Sequence, residues 1–251
     1  KNPARIGAAG GIATPEAAAA AYMMGAAYVL TGSVNQSCIE SGTSDQVRRM
    51  LAEAGQADCI MAPAADMFEL GVRVQVLKRG TMFAQRGAKL YEIWKSCDSI
   101  EMIPLPVKAA IERDMFKASF VDVWASTREY FLKRDPSQVE RAEKEPKHKM
   151  ALIFRSYLGQ ASRWANAGVP DRVLDYQVWC GPAMGAFNEW VKGSFLEKPA
   201  ERRVAVVARN ILYGAAVLTR AHFLRCQGVL LDPDTTRIEP LTAVELERLL
   251  D

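Results

Sequence analysis

Two glycine-bearing turns carry the residues whose types and spacing can do chemistry. Gly10-Gly11 ends the run Arg5-Ile6-Gly7-Ala8-Ala9, and Thr31-Gly32-Ser33 ends Tyr28-Val29-Leu30. A glycine has no Cβ, so its backbone can approach an anion closely and aim amide hydrogens at it. A helix starting just beyond adds the positive end of its dipole. Gly32 with Ser33 repeats the device of Gly10 and Gly11 and adds a hydroxyl donor. Together the two turns point to a bound phosphate. The plainer alternative is a pair of tight strand-to-helix turns in an α/β protein.

The elements that must position these turns follow from periodicity and capping. Residues 5–9 and 27–30 read as short strands joined by a helix over 15–24. Thr14 suits its N-cap, Pro15 its first position, and Gly25 the residue just past its last turn. Two such strand–helix units with phosphate loops are how the last two units of a (β/α)8 barrel are built, and residues 33–40 suit its short extra helix. Such a barrel needs about 200 residues or more, yet this pair begins at residue 5, so the chain reads as the C-terminal part of a larger protein. An amphipathic helix then runs from a Ser44 cap to Ala54, and residues 72–76 alternate as a half-buried strand does. Helical periodicity marks 81–96, 106–116, 120–133, 136–145, 149–166, 184–191 and 202–226. The expected fold is therefore α/β, the C-terminal end of a TIM (β/α)8 barrel followed by a mainly α-helical domain. The expected divisions are barrel units over 1–56, helical domain over 57–228 and tail over 229–251.

Composition narrows the function classes. With 49% apolar and 24% charged residues in 251, the chain is globular rather than disordered. A net charge of +3 with no interleaving of aromatic and basic residues gives no footing for nucleic acid. The five cysteines are scattered and never form a CxxC pair, so neither a metal site nor a disulfide framework is expected, and a reducing cytoplasm fits. No apolar run reads as long enough to span a membrane.

Longer stretches carry a family resemblance. Gly7-Ala-Ala-Gly-Gly-Ile-Ala-Thr-Pro-Glu-Ala-Ala18 and Val29-Leu-Thr-Gly-Ser-Val-Asn-Gln36 resemble the closing strands of the FMN-dependent nitronate monooxygenase and enoyl reductase superfamily. Met61 to Gly71, Lys89 to Trp94, Lys149 to Arg155 and Asp175 to Asn188 resemble the PfaD family. These are trans-acting enoyl reductases of polyunsaturated fatty acid synthases and trans-acyltransferase polyketide synthases. The resemblance runs from residue 5 to about Gly228. It implies FMN, with its phosphate on Gly10, Gly11, Thr31, Gly32 and Ser33, and NADPH as hydride donor. It implies reduction of an enoyl thioester carried on an acyl carrier protein, and some members are fused to a malonyl-type acyltransferase. The residues that hold the flavin ring and donate a proton belong to barrel strands that precede this region, so no catalytic residue is assigned. Two alternatives stay open: a nitronate monooxygenase-type flavin oxidase, and a non-catalytic helical module that recognises a carrier protein or acyltransferase.

Several other residues are chemically tempting. His148 lies in the mixed charge run Glu143-Lys-Glu-Pro-Lys-His-Lys149 and reads as a solvated surface residue, whereas His222, on an apolar helix, reads as a satisfied core histidine. Asp66 and Glu69, three apart, read as first-turn carboxylates that complement a helix dipole. Residues 179–190 mix Trp179, Met184, Phe187 and Trp190 with small residues, which fits an acyl wall or close packing of helices around Gly181 and Gly185. Cys180 among them reads as an inert packed thiol. Lys144, Lys147, Lys149, Arg155 and Arg163 form the basic stretch expected to meet an acidic carrier protein.

Overall fold

The computed structural model describes residues 4–249. In chain order its strands are β1 (Ala8–Ala9), β2 (Val29–Leu30), β3 (Cys59–Pro63) and β4 (Arg73–Leu77). Its α-helices are α1 (Pro15–Met23), α2 (Ser33–Gln36), α3 (Asp45–Ala52), α4 (Phe83–Ser96), α5 (Leu105–Ile111), α6 (Phe120–Arg134), α7 (Pro136–Lys144), α8 (Pro146–Ala167), α9 (Ala183–Val191), α10 (Val204–Cys226) and α11 (Ala243–Arg248). The chain folds as two compact units: one is the N-terminal part through Cys59 together with everything from Trp179 on, and the other is Ile60–Val178.

In the first unit β1 and β2 pair in parallel, Ala8 opposite Val29 and Ala9 opposite Leu30. Parallel neighbours need a crossover, and α1 supplies it. The Thr14 hydroxyl accepts the Ala17 N–H, with Pro15 opening the helix where a missing N–H costs nothing. Ala18, Ala19 and Ala21 are buried on α1, and α10 packs along it so closely that a Cβ at Gly214 would collide with the Pro15 ring. By length and composition alone α10 could cross a membrane, contrary to the expectation from the sequence. Here Val207, Ile211 and Ala215 are buried in the unit's own packing. The tail also carries α11, opened by a capping box in which Thr242 and Glu245 each satisfy the other's backbone N–H.

The second unit is built around α8. Its stretch Met150-Ala151-Leu152-Ile153-Phe154 is fully buried, so the helix is apolar on every side at its centre. Phe83 and Leu90 of α4, Phe116, and Phe120 of α6 belong to the same core, with Phe116 and Phe120 meeting edge to face at 5.2 Å. Beside it β3 and β4 pair into a two-stranded sheet. The 3₁₀ turn Pro170–Asp175 is tied in by a buried carboxylate. Asp175 accepts from Arg86, from the Tyr157 hydroxyl at 2.6 Å and from Arg172 at 3.2 Å.

The helical unit is thus bounded at 60 and 178 rather than at 57 and 228. The difference lies in α9 and α10, which pack on α2 and α1 and so fold with the glycine loops. The strand β3 is additional to the elements expected from the sequence, the helix expected over 106–116 opens into a π turn at Glu112–Phe116, and α2 stops at Gln36.

Candidate functional site

Parallel register sets the two glycine turns side by side. Because Ala9 stands opposite Leu30, the chain leaves both strands at the same end, into Gly10-Gly11 on one side and Thr31-Gly32-Ser33 on the other. Gly10 and Gly11 have φ of +86° and +74°, a left-handed conformation that other residues adopt only with strain. A Cβ added at Gly10, Gly11 or Gly32 would meet open space, and all three residues are exposed. Among the described residues the N–H groups of Gly11 and Gly32 donate to no protein acceptor. These are free, uncrowded donors on adjacent loops, which is what an oxyanion needs.

The side chains refine that picture. Ser33 Oγ accepts the Gly181 N–H at 2.9 Å, which fixes the hydroxyl and leaves its hydrogen to donate. Thr31 contributes less, because its hydroxyl donates to Asn35 Oδ1 at 2.8 Å while Asn35 Nδ2 returns a bond to the Thr31 carbonyl at 2.9 Å. The start of α1 is also largely spent. Pro15 has no N–H, Thr14 occupies that of Ala17, and Glu16 places a carboxylate in the first turn. The anion-binding capacity therefore rests on the two loops more than on the α1 dipole. The donor set of Gly11, Gly32 and Ser33 fits a phosphate monoester, and hence the phosphate end of FMN.

Behind the loops stands a packed wall. Gly185 lets α9 touch the segment before β3, since a Cβ there would fall into the backbone of Gly55 and Gln56. Asn188 Nδ2 donates to the Leu51 and Ala54 carbonyls, each at 2.8 Å, and its Oδ1 accepts from Arg202 at 3.0 Å. Arg202 is buried, with Nε donating to the Leu196 carbonyl and Nη1 lacking any partner; burial lowers its pKa to about 10. Around Gly185 the aromatic and small-residue segment is thus close packing of α9 on the chain before β3. Burial raises the Cys180 thiol well above the ordinary range, as expected of an inert cysteine, but its sulfur lies 3.6 Å from that of Cys59, a proximity nothing in the cysteine spacing signals.

The two histidines exchange the places expected of them. His148 is 2% exposed, its Nδ1 paired with Glu69 and its Nε2 with Gln138, each at 3.0 Å. His222 is exposed, with the Cys226 sulfur 3.6 Å from its Nε2. Glu69 lies in the 3₁₀ turn Phe68–Leu70, and Asp66 lies outside any helix, so the two are not first-turn carboxylates of one helix. Of the basic stretch, Lys147 pairs with Asp98 at 2.9 Å and Arg155 lies 3.6 Å from Glu69, while Lys149 sits over the Trp124 ring and Arg163 over Tyr130.

Comparison with known proteins places this arrangement. Residues 97–176, all in the helical unit, match the family described as "[Acyl-carrier-protein] S-malonyltransferase, inserted helical domain". Over 226 residues the chain is 50% identical to a component of the polyunsaturated fatty acid synthase of Thraustochytrium sp., covering 88% of this chain and 15% of that protein. The structure superposes on the crystal structure of the enoyl reductase domain of MlnA, from the macrolactin biosynthesis cluster of Bacillus amyloliquefaciens. That match has a TM-score of 0.83 and 39% identity, over 88% of this chain and 50% of the other. The chain is their homologue. The PfaD-like resemblance of the sequence blocks holds in sequence and in fold. A further relative is the polyketide biosynthesis protein PksE of Bacillus subtilis, 46% identical over 85% of this chain and 28% of that protein. The chain thus spans less than a third of the length of these two curated relatives.

Proposed function

We propose that this chain is part of an FMN-dependent, NADPH-using enoyl reductase that acts on enoyl thioesters carried by acyl carrier protein in polyketide or polyunsaturated fatty acid biosynthesis. The observation that carries this reading is the pair of glycine loops with free N–H groups at the ends of adjacent parallel strands. The strands themselves support a barrel end. Parallel sheets are normally covered on both faces, yet Ile6 is 78% and Leu30 57% exposed beside β1 and on β2, as expected where further strands and helices complete the layer.

Bound at these loops, FMN supplies hydride transfer from NADPH to the β-carbon of the enoyl group. The part played by this chain is to hold one end of it. Gly11 and Gly32 donate backbone N–H groups to the phosphate, Gly10 lets the loop take its left-handed turn, and Ser33, held by the Gly181 N–H, presents its hydroxyl hydrogen. Asn188 and Arg202 hold α9, which packs on α2 just past Gly32, against the end of α3. Acyl carrier domains, and an associated acyltransferase in some assemblies, are the proposed partners.

The test is Gly32→Asp and Gly11→Asp in the longer protein. Each adds bulk and negative charge at the phosphate, and each lost charge-assisted hydrogen bond costs about 1.5–3 kcal/mol. Flavin absorbance after desalting should fall at least tenfold while far-ultraviolet circular dichroism is unchanged. Retention of FMN at wild-type affinity by both variants overturns the assignment. The 251-residue chain alone, with one parallel strand pair, should bind FMN weakly, and a stoichiometrically yellow preparation of it would argue against the barrel reading.

A further inference from the structure

A cleft of about 440 Å³ opens in the helical unit between α6 and α8, away from the glycine loops in sequence and assigned no role above. Its volume lies within the ~300–1,000 Å³ range of small-molecule sites. Apolar side chains line its body, among them Leu152, Phe131 and Trp164. One polar group on its wall is Thr127. This residue is only 6% exposed and lines the cleft, yet its hydroxyl makes no hydrogen bond among the described residues. That hydroxyl is open to the cleft, free to bond a ligand or an ordered water there.

Two guanidinium groups mark the same cleft. Arg155 is held from behind, Nε donating to the Ala65 carbonyl at 2.8 Å and Nη1 lying 3.6 Å from Glu69, which is itself braced by buried His148. Arg163, two turns further along α8, lies over the Tyr130 ring at 5.9 Å and has no carboxylate partner among the described residues. Asp66 is the one carboxylate in the lining, and Glu69 beside Arg155 lies outside it, so Arg163 is the cation of the cleft with no carboxylate paired to it among the described residues. Between the arginines, α8 carries Gly159 at a point where a Cβ would meet nothing within 4 Å. A glycine in mid-helix costs roughly 0.5–1 kcal/mol relative to alanine, and here its effect is to keep the cleft open.

We propose that this cleft binds an amphiphilic oxyanion: an aliphatic chain along Leu152 and Trp164, a hydrogen-bond acceptor at Thr127, and a carboxylate or phosphate head at Arg155 and Arg163. The inference stands apart from the flavin reading, since all of these residues belong to the unit Ile60–Val178 and the glycine loops to the other. Calorimetric titration of the whole chain with octanoate, octyl phosphate and octanol tests it. The two anions should bind, and octanol should bind at least tenfold more weakly. The stronger of the two anions identifies the head group. Arg163→Gln should weaken the anions about tenfold or more and bring them level with octanol. Gly159→Leu should abolish binding of all three while leaving the thermal midpoint unchanged or raised. Absence of anion binding, equal binding of octanol, or full binding by the folded Gly159→Leu variant would each overturn the proposal.

Discussion

Asp175, in the unit formed by Ile60–Val178, and Arg202, in the unit that holds the glycine loops, are both buried charges, 2% and 1% exposed, yet their surroundings differ in kind. Asp175 is met by two guanidinium groups and a phenol, and burial raises the Tyr157 hydroxyl so far that it stays a donor at any working pH. Among the described residues Arg202 faces no carboxylate in hydrogen-bonding contact. It is held by carbonyl oxygens, the Asn188 amide and the face of Phe187 at 5.2 Å, with Nη1 unfilled. A saturated ionic cluster welds turns to a core, whereas a lone cation among dipoles orients a wall and remains only partly compensated. The helical unit has an aromatic core of its own, and apolar strand residues are exposed in both units, Leu30 on β2 and Ile60 and Met61 on β3.

The sharpest way to break this comparison is Asp175→Ala. It leaves Arg86 and Arg172 facing each other in a buried site with no counter-charge, and removal of one partner from such a cluster costs about 3–5 kcal/mol. Denaturant unfolding followed by circular dichroism should show that loss. A cost below about 1 kcal/mol would mean that the cluster contributes no net stability. Arg202→Met should cost less, about 1–3 kcal/mol, because it strands the Leu196 carbonyl and Asn188 Oδ1 but also removes a desolvated charge. If Arg202→Met equals Asp175→Ala in cost, the guanidinium is better compensated than its contacts imply, and the contrast between the units fails.

How much of this was legible in the sequence follows from the range of the interactions concerned. The β1–α1–β2 unit was readable because its signals are local: Thr14-Pro15, the Gly10-Gly11 pair and the small residues of α1 each act within a few positions. The strand β3 was not, since Cys59-Ile-Met-Ala-Pro63 is short, lacks alternation and acquires its pairing only from β4. His148 was misplaced because its neighbours in sequence are charged, whereas its partners Glu69 and Gln138 come from other elements. His222 was misplaced for the converse reason. The apolar composition of α10 suggested burial on all sides, but Leu212 and Phe223 are exposed along it. The cleft at Thr127, Arg155 and Gly159 has no local signature, because no pattern within α6 or α8 alone shows that their faces diverge.

A pH titration sharpens the comparison on the side of the loop-bearing unit. Burial raises the Cys38 thiol to about 11, with Glu40 adding to the shift and Arg202 opposing it. A thiol that holds its proton more tightly in the folded state favours folding below its unfolded pKa near 9, and that contribution is lost as pH rises through the folded value. Stability should therefore fall between about pH 9 and pH 11, and Cys38→Ala should flatten that part of the profile. An unchanged slope would place the pH dependence elsewhere, and in that case Cys38 is not the buried neighbour of Arg202 that its shift implies.

The smallest expected effect separates stability from anion binding within the same unit. Thr14→Ala removes the N-cap of α1, and because the bond to the Ala17 N–H is long, at 3.4 Å, the loss belongs at the low end of the usual range, about 0.5–1 kcal/mol. The thermal midpoint should drop accordingly. The same substitution frees the Ala17 N–H at the start of a helix that follows Gly10-Gly11. If the proposed phosphate is held by the loop donors of Gly11, Gly32 and Ser33, FMN retention by the longer protein should not fall, since Thr14 gives its hydroxyl to its own helix rather than to the ligand. A drop in FMN affinity as large as that caused by Gly32→Asp would instead make the α1 terminus part of the anion site, and the division of labour between capped helix and open loops would have to be redrawn.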